Sequence, residues 1–236
     1  MPHPPLRCEG RRSPHKLVLD DSCETTSERP VLGGLKSKNV DVVVAKEGVG
    51  PVLCVSVKGT GKAFRNLTNR MEEAIGDCTN LHIMYPGLVY GFLSLLKANR
   101  GGQQEMQRND VAIDARGNVE NSIVRYHNAL AALAGRKTVR NDGSRYEAIA
   151  LVLVESRQNI AGQIYAGFPG TDSPLLLAHL FEALYNRYDQ RYPYTADTIP
   201  ALRRAEWEPN SPALEDIQNI TGKGLEEALG YTPRLA

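Results

Sequence analysis

The chain has 236 residues, of which 42% are hydrophobic and 23% charged, proportions that exclude wholesale disorder. Its 28 Lys and Arg stand against 27 Asp and Glu, a net charge of +1, which excludes a polybasic protein that coats nucleic acid over its whole surface. Four cysteines, Cys8, Cys23, Cys54 and Cys78, contain no Cys-x-x-Cys pair, so a zinc ribbon or finger has no frame.

Residues 1–35 read as a poorly structured arm, broken by Pro2, Pro4, Pro5, Pro14 and Pro30 and by Gly33-Gly34. The arm lacks the apolar core of a secretory signal, and Leu88–Leu96, the longest apolar stretch, is too short to span a membrane. A soluble intracellular protein in a reducing compartment is therefore expected. Cys8, His15 and Cys23 match no known metal-binding spacing.

Residues 36–196 read as the folded core. Val40-Asp41-Val42-Val43-Val44 is a β-branched run with the profile of a strand, and Val52–Lys58 is a second, mostly buried one. The short link through Glu47–Pro51 makes the pair an antiparallel hairpin. After Gly59-Thr60-Gly61, the apolar residues Phe64, Leu67, Met71, Ala74 and Ile75 recur at helical spacing. A third strand is expected over Leu88–Lys97, a helix over Val119–Leu133 and a fourth strand over Tyr146–Val154. A further helix opens at Ser173-Pro174 and runs through Tyr188. This order specifies an α/β domain with a mixed central sheet flanked by helices. Residues 197–236 read as an acidic extension interrupted by prolines, with one short helix near Leu214–Ile220.

Gly59-Thr60-Gly61-Lys62 imitates the end of a phosphate loop. Ser56 stands where that loop needs a glycine and Ala63 where it needs Ser or Thr, so an NTPase reading fails. The hairpin carries more chemistry. Asp41 interrupts a valine run and Lys58 ends a buried-looking strand, and such groups need a partner or a metal. Counted around a continuous helix from Phe64, Glu72 lies at the margin of the apolar face and Glu73 points to solvent. Two carboxylates and a lysine then suit a divalent cation and an oriented water.

Asp41, followed by Ser56-Val57-Lys58 at the end of the next strand, resembles the hairpin of the PD-(D/E)xK nucleases, the restriction-endonuclease-like superfamily. Ser56 occupies the place of the usual acidic residue. One subgroup of type II restriction endonucleases has Ser-x-Lys there and carries the missing carboxylate on the next helix, and Glu72 stands 14 residues after Lys58. Val40 stands where the motif has proline. The resemblance implies a Mg²⁺-dependent endonuclease of a prokaryotic restriction–modification system, acting in the cytoplasm on double-stranded DNA as a homodimer. Asp41 and Glu72 would be its metal ligands, Lys58 would position the attacking water, and Ser56 would be a polar neighbour. For the acidic residue that many of these nucleases carry on a preceding helix, Glu24 and Glu28 are candidates.

Local charge agrees with a DNA substrate. Between Lys36 and Arg70, seven basic residues face two acidic ones, a net +5, whereas the segment after Ala205 carries six acidic against two basic, a net −4. Lys62, Arg65, Asn69 and Arg70 fall on the polar side of the helix, where they could meet phosphates. The alternative is a catalytically inactive DNA-binding or structural module of the same fold, in which Asp41 and Lys58 form an ordinary ion pair. Two further clusters, Arg136, Lys137, Arg140, Asn141 and Arg145 in a loop, and Tyr185, Arg187, Tyr188, Arg191, Tyr192 and Tyr194 near a helix end, read by default as solvated and packed surface. His82, His127 and His179 read as structural.

Overall fold

A computed structural model describes residues 6–8, 17–19, 28–46, 49–102, 106–140, 142–192, 207–233 and 235. The Cys8 side chain, His15, Cys23, Glu24, Asn141 and Tyr194 lie outside what it describes. The centre is a four-stranded mixed sheet in the order β5 (Val42–Lys46), β6 (Gly50–Thr60), β7 (Val89–Lys97), β8 (Ala148–Val154). β5 runs antiparallel to β6, with Val42 opposite Val55, while β6, β7 and β8 are parallel. Parallel neighbours need crossovers, and two helices supply them: α1 (Leu67–Met84) joins β6 to β7, and α2 (Asn121–Leu133) joins β7 to β8. Because both faces are covered, β6 and β8 are almost continuously apolar and buried.

Alternation along each strand assigns the two faces. Cys54, Tyr90, Phe92, Ile149 and Leu151 pack beneath Leu67, Ala74, Cys78 and Leu81 of α1 and Ile123, Tyr126 and Leu130 of α2. Val44, Leu53, Val55, Val89 and Ala150 pack beneath Leu180, Leu184, Tyr188 and Tyr192 of α3 (Leu177–Arg191) and the residue following it. Gly91 permits the close approach of α3, since a Cβ there would stand 2.8 Å from the Leu184 side chain. The α/β class and mixed sheet agree with the sequence reading. So do the strands and α2, to within a few residues at each end.

Three local departures have physical causes. α3 begins at Leu177 rather than beside Ser173-Pro174, because Leu176 is still extended. Ser173 instead closes a tighter turn, accepting the Leu175 N–H at 3.1 Å, while the Leu175 carbonyl accepts from Leu151 of β8. Second, Val40 ends a separate strand, and Asp41 forms a bend between β4 (Ser37–Val40) and β5. β4 pairs antiparallel with β3 (Arg29–Leu32), so residues 29–32 belong to a hairpin whose Val31 and Leu32 are fully buried. Short strands β1 (Leu6–Cys8) and β2 (Leu17–Leu19) also pair. Third, α4 (Pro212–Thr221) is followed by α5 (Leu225–Leu229), and the two enclose Leu32 in a small apolar cluster with Tyr231. No helix among the described residues is long and apolar enough to cross a membrane.

The Asn80 side chain ties the turn of the β3–β4 hairpin to α1. Asn80 Oδ1 accepts the N–H groups of Leu35 and Lys36 at 2.8 and 3.2 Å, and its Nδ2 donates to the Lys36 carbonyl at 2.9 Å. A Cβ on Gly33 would collide with this same amide. Asn80→Ala removes three hydrogen bonds and opens space beneath Gly33. It is expected to lower unfolding free energy by roughly 1–3 kcal/mol in a urea titration.

Candidate functional site

Asp41, Ser56 and Lys58, three residues of the expected site, lie around the C-terminal end of β6. Val42 pairs with Val55, so Asp41 stands across from Ser56, on the same face as Ser56 and Lys58. The bend at Asp41 frees its carboxylate from the sheet ladder. Oδ2 accepts the backbone N–H of Val57 at 2.8 Å, which holds an exposed carboxylate one residue from Lys58. Asp41 is therefore at the solvent edge rather than embedded in a strand. Neither it nor Lys58 forms an ion pair among the described residues, so the ion pair of the alternative reading is not made.

Ser56 is buried and exchanges a 2.7 Å hydrogen bond with the Tyr90 hydroxyl. Burial pushes the Tyr90 phenol well above its usual range, only partly opposed by Ser56. This neutral pair anchors the strand beneath Lys58 and leaves the serine hydroxyl committed to the core.

The helical carboxylates are arranged differently from the sequence expectation. Phe64–Asn66 form a 3₁₀ turn, so α1 begins only at Leu67. The tighter turn resets the phase that a count from Phe64 assumes. Measured from Leu67, Glu72 lies about 140° round the helix, towards solvent, while Glu73 lies about 120° round on the other side. Accordingly Glu72 is exposed and Glu73 is half-buried, on the side of Asp77 and Asn80.

Glu73 is coupled by charge to lysines of β4 and β6, after its closer partner Arg70 on its own helix. Burial raises its pKa, but a 2.7 Å hydrogen bond and the charge of Arg70, with the charges of Lys38 and Lys58, overcome that and hold it below its ordinary value. Lys38 on β4 meets Asp77 of α1 at 2.7 Å. Sequence reasoning placed Glu73 towards solvent, counted Lys38 only in the local charge and left out Asp77. The available signal was Asp77 itself, a carboxylate among the buried positions Ala74, Cys78 and Leu81, which needs a cationic partner.

Lys62, Arg65 and Asn69 are exposed just beyond the end of β6, and Arg70 is exposed while paired with Glu73. Nearby, Asp110 fixes the loop after β6 by accepting the Ala63 N–H, and Asn99 bridges the carbonyls of Gly61 and Asp110 at 2.8 Å each. Ala63 is held with φ 58°, a left-handed conformation that turns the chain from strand into helix. Glu28 is exposed and joins no ion pair among the described residues.

The opposite end of the sheet holds a different polar cluster. Glu147, fully buried just before β8, meets Arg191 at 2.6 Å, Arg136 at 2.9 Å and His82 at 3.6 Å, and accepts the Tyr90 N–H at 2.7 Å. Burial alone would raise its pKa. The hydrogen bond and charge of His82, then the charges of Arg191 and Arg136, lower it to about 2. Cys78 contacts His82 at 3.4 Å, but burial raises its thiol well above the usual range, so it is no nucleophile. Arg136, read from the sequence as part of a solvated loop, and Arg191, read as part of a helix end packed against the core, are both structural cations of the interior.

Compared with protein-family models, curated proteins and solved structures, the chain matches none.

Proposed function

We propose that the chain is a Mg²⁺-dependent endonuclease that hydrolyses DNA phosphodiester bonds, resembling a type II restriction enzyme and acting as a homodimer. The observation that carries this reading is the carboxylate of Asp41, held by the Val57 N–H beside Lys58 at the solvent edge of β6. Glu73 on the covering helix, its charge coupled to Lys58, is the second carboxylate that this geometry favours. Lys62, Arg65 and Asn69 give the same edge a basic and polar rim fit for backbone phosphates.

The donors suit magnesium in kind, since exposed carboxylate oxygens are its preferred ligands. Asp41 and one α1 carboxylate would hold it, although no three His, Cys, Asp or Glu residues among those described are grouped as a metal site. Magnesium would supply Lewis-acid polarisation of the phosphodiester and a more acidic attacking water. Lys58 at the strand end would orient the attacking water and offset charge developing on the phosphate. Asp41 keeps one carboxylate oxygen bonded to Val57, which fixes the direction of the other.

The direct test is Mg²⁺-dependent cleavage of plasmid and phage DNA by the wild type and by Lys58→Ala and Asp41→Ala. Cleavage by the wild type and its loss in both variants is the expected result. Activity that survives both substitutions removes the site assignment. Binding of DNA without cleavage by the wild type favours the inactive module.

A further inference from the structure

A second basic feature lies at the other end of the sheet, about seven residues of β7 and roughly 20 Å from Lys58. The loop Lys137–Arg140, between α2 and β8, faces the last turn of α3 across a cavity of about 450 Å³. Its lining is Lys137, Thr138, Val139, Arg140, Arg187, Gln190 and Arg191, four cations and no carboxylate. We propose that this cavity is an anion site that takes a phosphate group, separate from the nuclease centre.

Three observations carry the inference. First, the cations come from two elements. Arg191 in the last turn of α3 is in the place where a helix dipole already favours positive charge, with Arg187 one turn before it. That account does not extend to Lys137 and Arg140, which a separate loop brings against them. Second, their charge is not balanced locally. Arg187 donates to Gln190 at 2.7 Å, and among the described residues no ion pair joins Lys137, Arg140 or Arg187 to an acid. Behind them, Glu147 serves Arg136, Arg191 and His82 together.

Third, Arg191 is held in a fixed pose with a donor to spare. Its side chain is 6% exposed, and Nη1 reaches Glu147 at 2.6 Å and the Leu88 carbonyl at 2.7 Å. Nη2 is buried without a partner. A guanidinium so anchored forms the rigid floor of a pocket whose rim cations are free to adjust, and phosphate suits such planar donors and point charges. The cavity volume lies within the range of small-ligand sites.

The experiment is isothermal titration of the full-length protein with inorganic phosphate and with pyrophosphate, at constant ionic strength set by chloride. The expected result is one site per chain. Binding should weaken at least tenfold in Arg140→Gln/Arg187→Gln and stay unchanged in Lys58→Ala. Both replaced arginines are at least partly solvent-exposed, and an unchanged melting temperature confirms the fold. A short DNA duplex is then titrated against bound pyrophosphate. Competition assigns the phosphate to a nucleic-acid backbone, and its absence assigns it to a small phosphorylated ligand. No heat from either anion, or equal binding by the double variant, overturns the site. Because no cleavage is measured, failure here is distinct from failure of the nuclease reading.

Discussion

Glu147→Ala is expected to lower the unfolding free energy by about 3–5 kcal/mol, the largest effect of any single side chain in this fold. The carboxylate is completely buried, and its removal strands Arg136, which is 1% exposed, and Arg191 and His82 beside it. The cost comes mainly from leaving the Arg136 and Arg191 guanidinium groups uncompensated rather than from a lost net attraction. Thermal and urea denaturation at neutral pH measure it, and a variant within about 1 kcal/mol of wild type would contradict the arrangement.

The same residue sets an acid dependence. Its folded pKa, about 2, lies below the ordinary carboxylate range that it regains on unfolding. A depressed folded pKa means that the unfolded chain binds the proton first as pH falls. The contribution is therefore complete above about pH 5 and is lost progressively towards pH 2. Between those limits the wild type should lose stability with acid more steeply than Glu147→Ala. Parallel curves would show that Glu147 is not ionised in the fold.

The second large effect concerns cleavage. Lys58→Ala is expected to reduce DNA hydrolysis by about 10²–10³-fold, the scale of removing one preorganised electrostatic contact at a transition state. On α1 the two neighbouring glutamates separate the alternatives. Glu73→Ala should reduce cleavage comparably and Glu72→Ala much less, because Glu73 is half-buried and feels the charges of Lys38 and Lys58 whereas Glu72 is exposed. The reverse order would return the second carboxylate to Glu72, as the 14-residue spacing implies. Loss of the exposed Arg70–Glu73 pair should change stability by at most about 0.5 kcal/mol, so a folded Glu73→Ala variant is expected. An independent readout is the Glu73 titration by NMR. Its pKa should rise in Lys58→Ala, since one of the cations that lowers it is gone.

The difference between those glutamates marks a limit of periodicity. Apolar residues at Leu67, Met71, Ala74 and Cys78 are enough to reveal a helix, and they do not report where its first regular turn begins. A 3₁₀ turn of three residues changes the phase enough to exchange the orientations of adjacent side chains. Asp41 poses a similar problem. A valine run reads as one strand, yet Val40 pairs with Arg29 and Val42 with Val55, so the chain bends between them at the aspartate. Pairing partners distant in sequence decide that bend.

By itself, the sequence determined the hairpin, the two crossover helices and the mixed α/β order, because β-branched runs and helical spacing act over a few residues. It also determined that basic charge gathers around Lys58 despite the net charge of +1. Tertiary structure alone decided which glutamate of α1 is exposed and which is half-buried. It alone drew Arg136 and Arg191 onto Glu147 and brought Lys137 and Arg140 against Arg187. These outcomes depend on burial and on contacts between residues far apart in sequence, such as His82 and Glu147, 65 positions apart. Charge pairing of that kind is a property of the folded interior, where desolvation makes a missing partner costly, and local sequence carries no record of it.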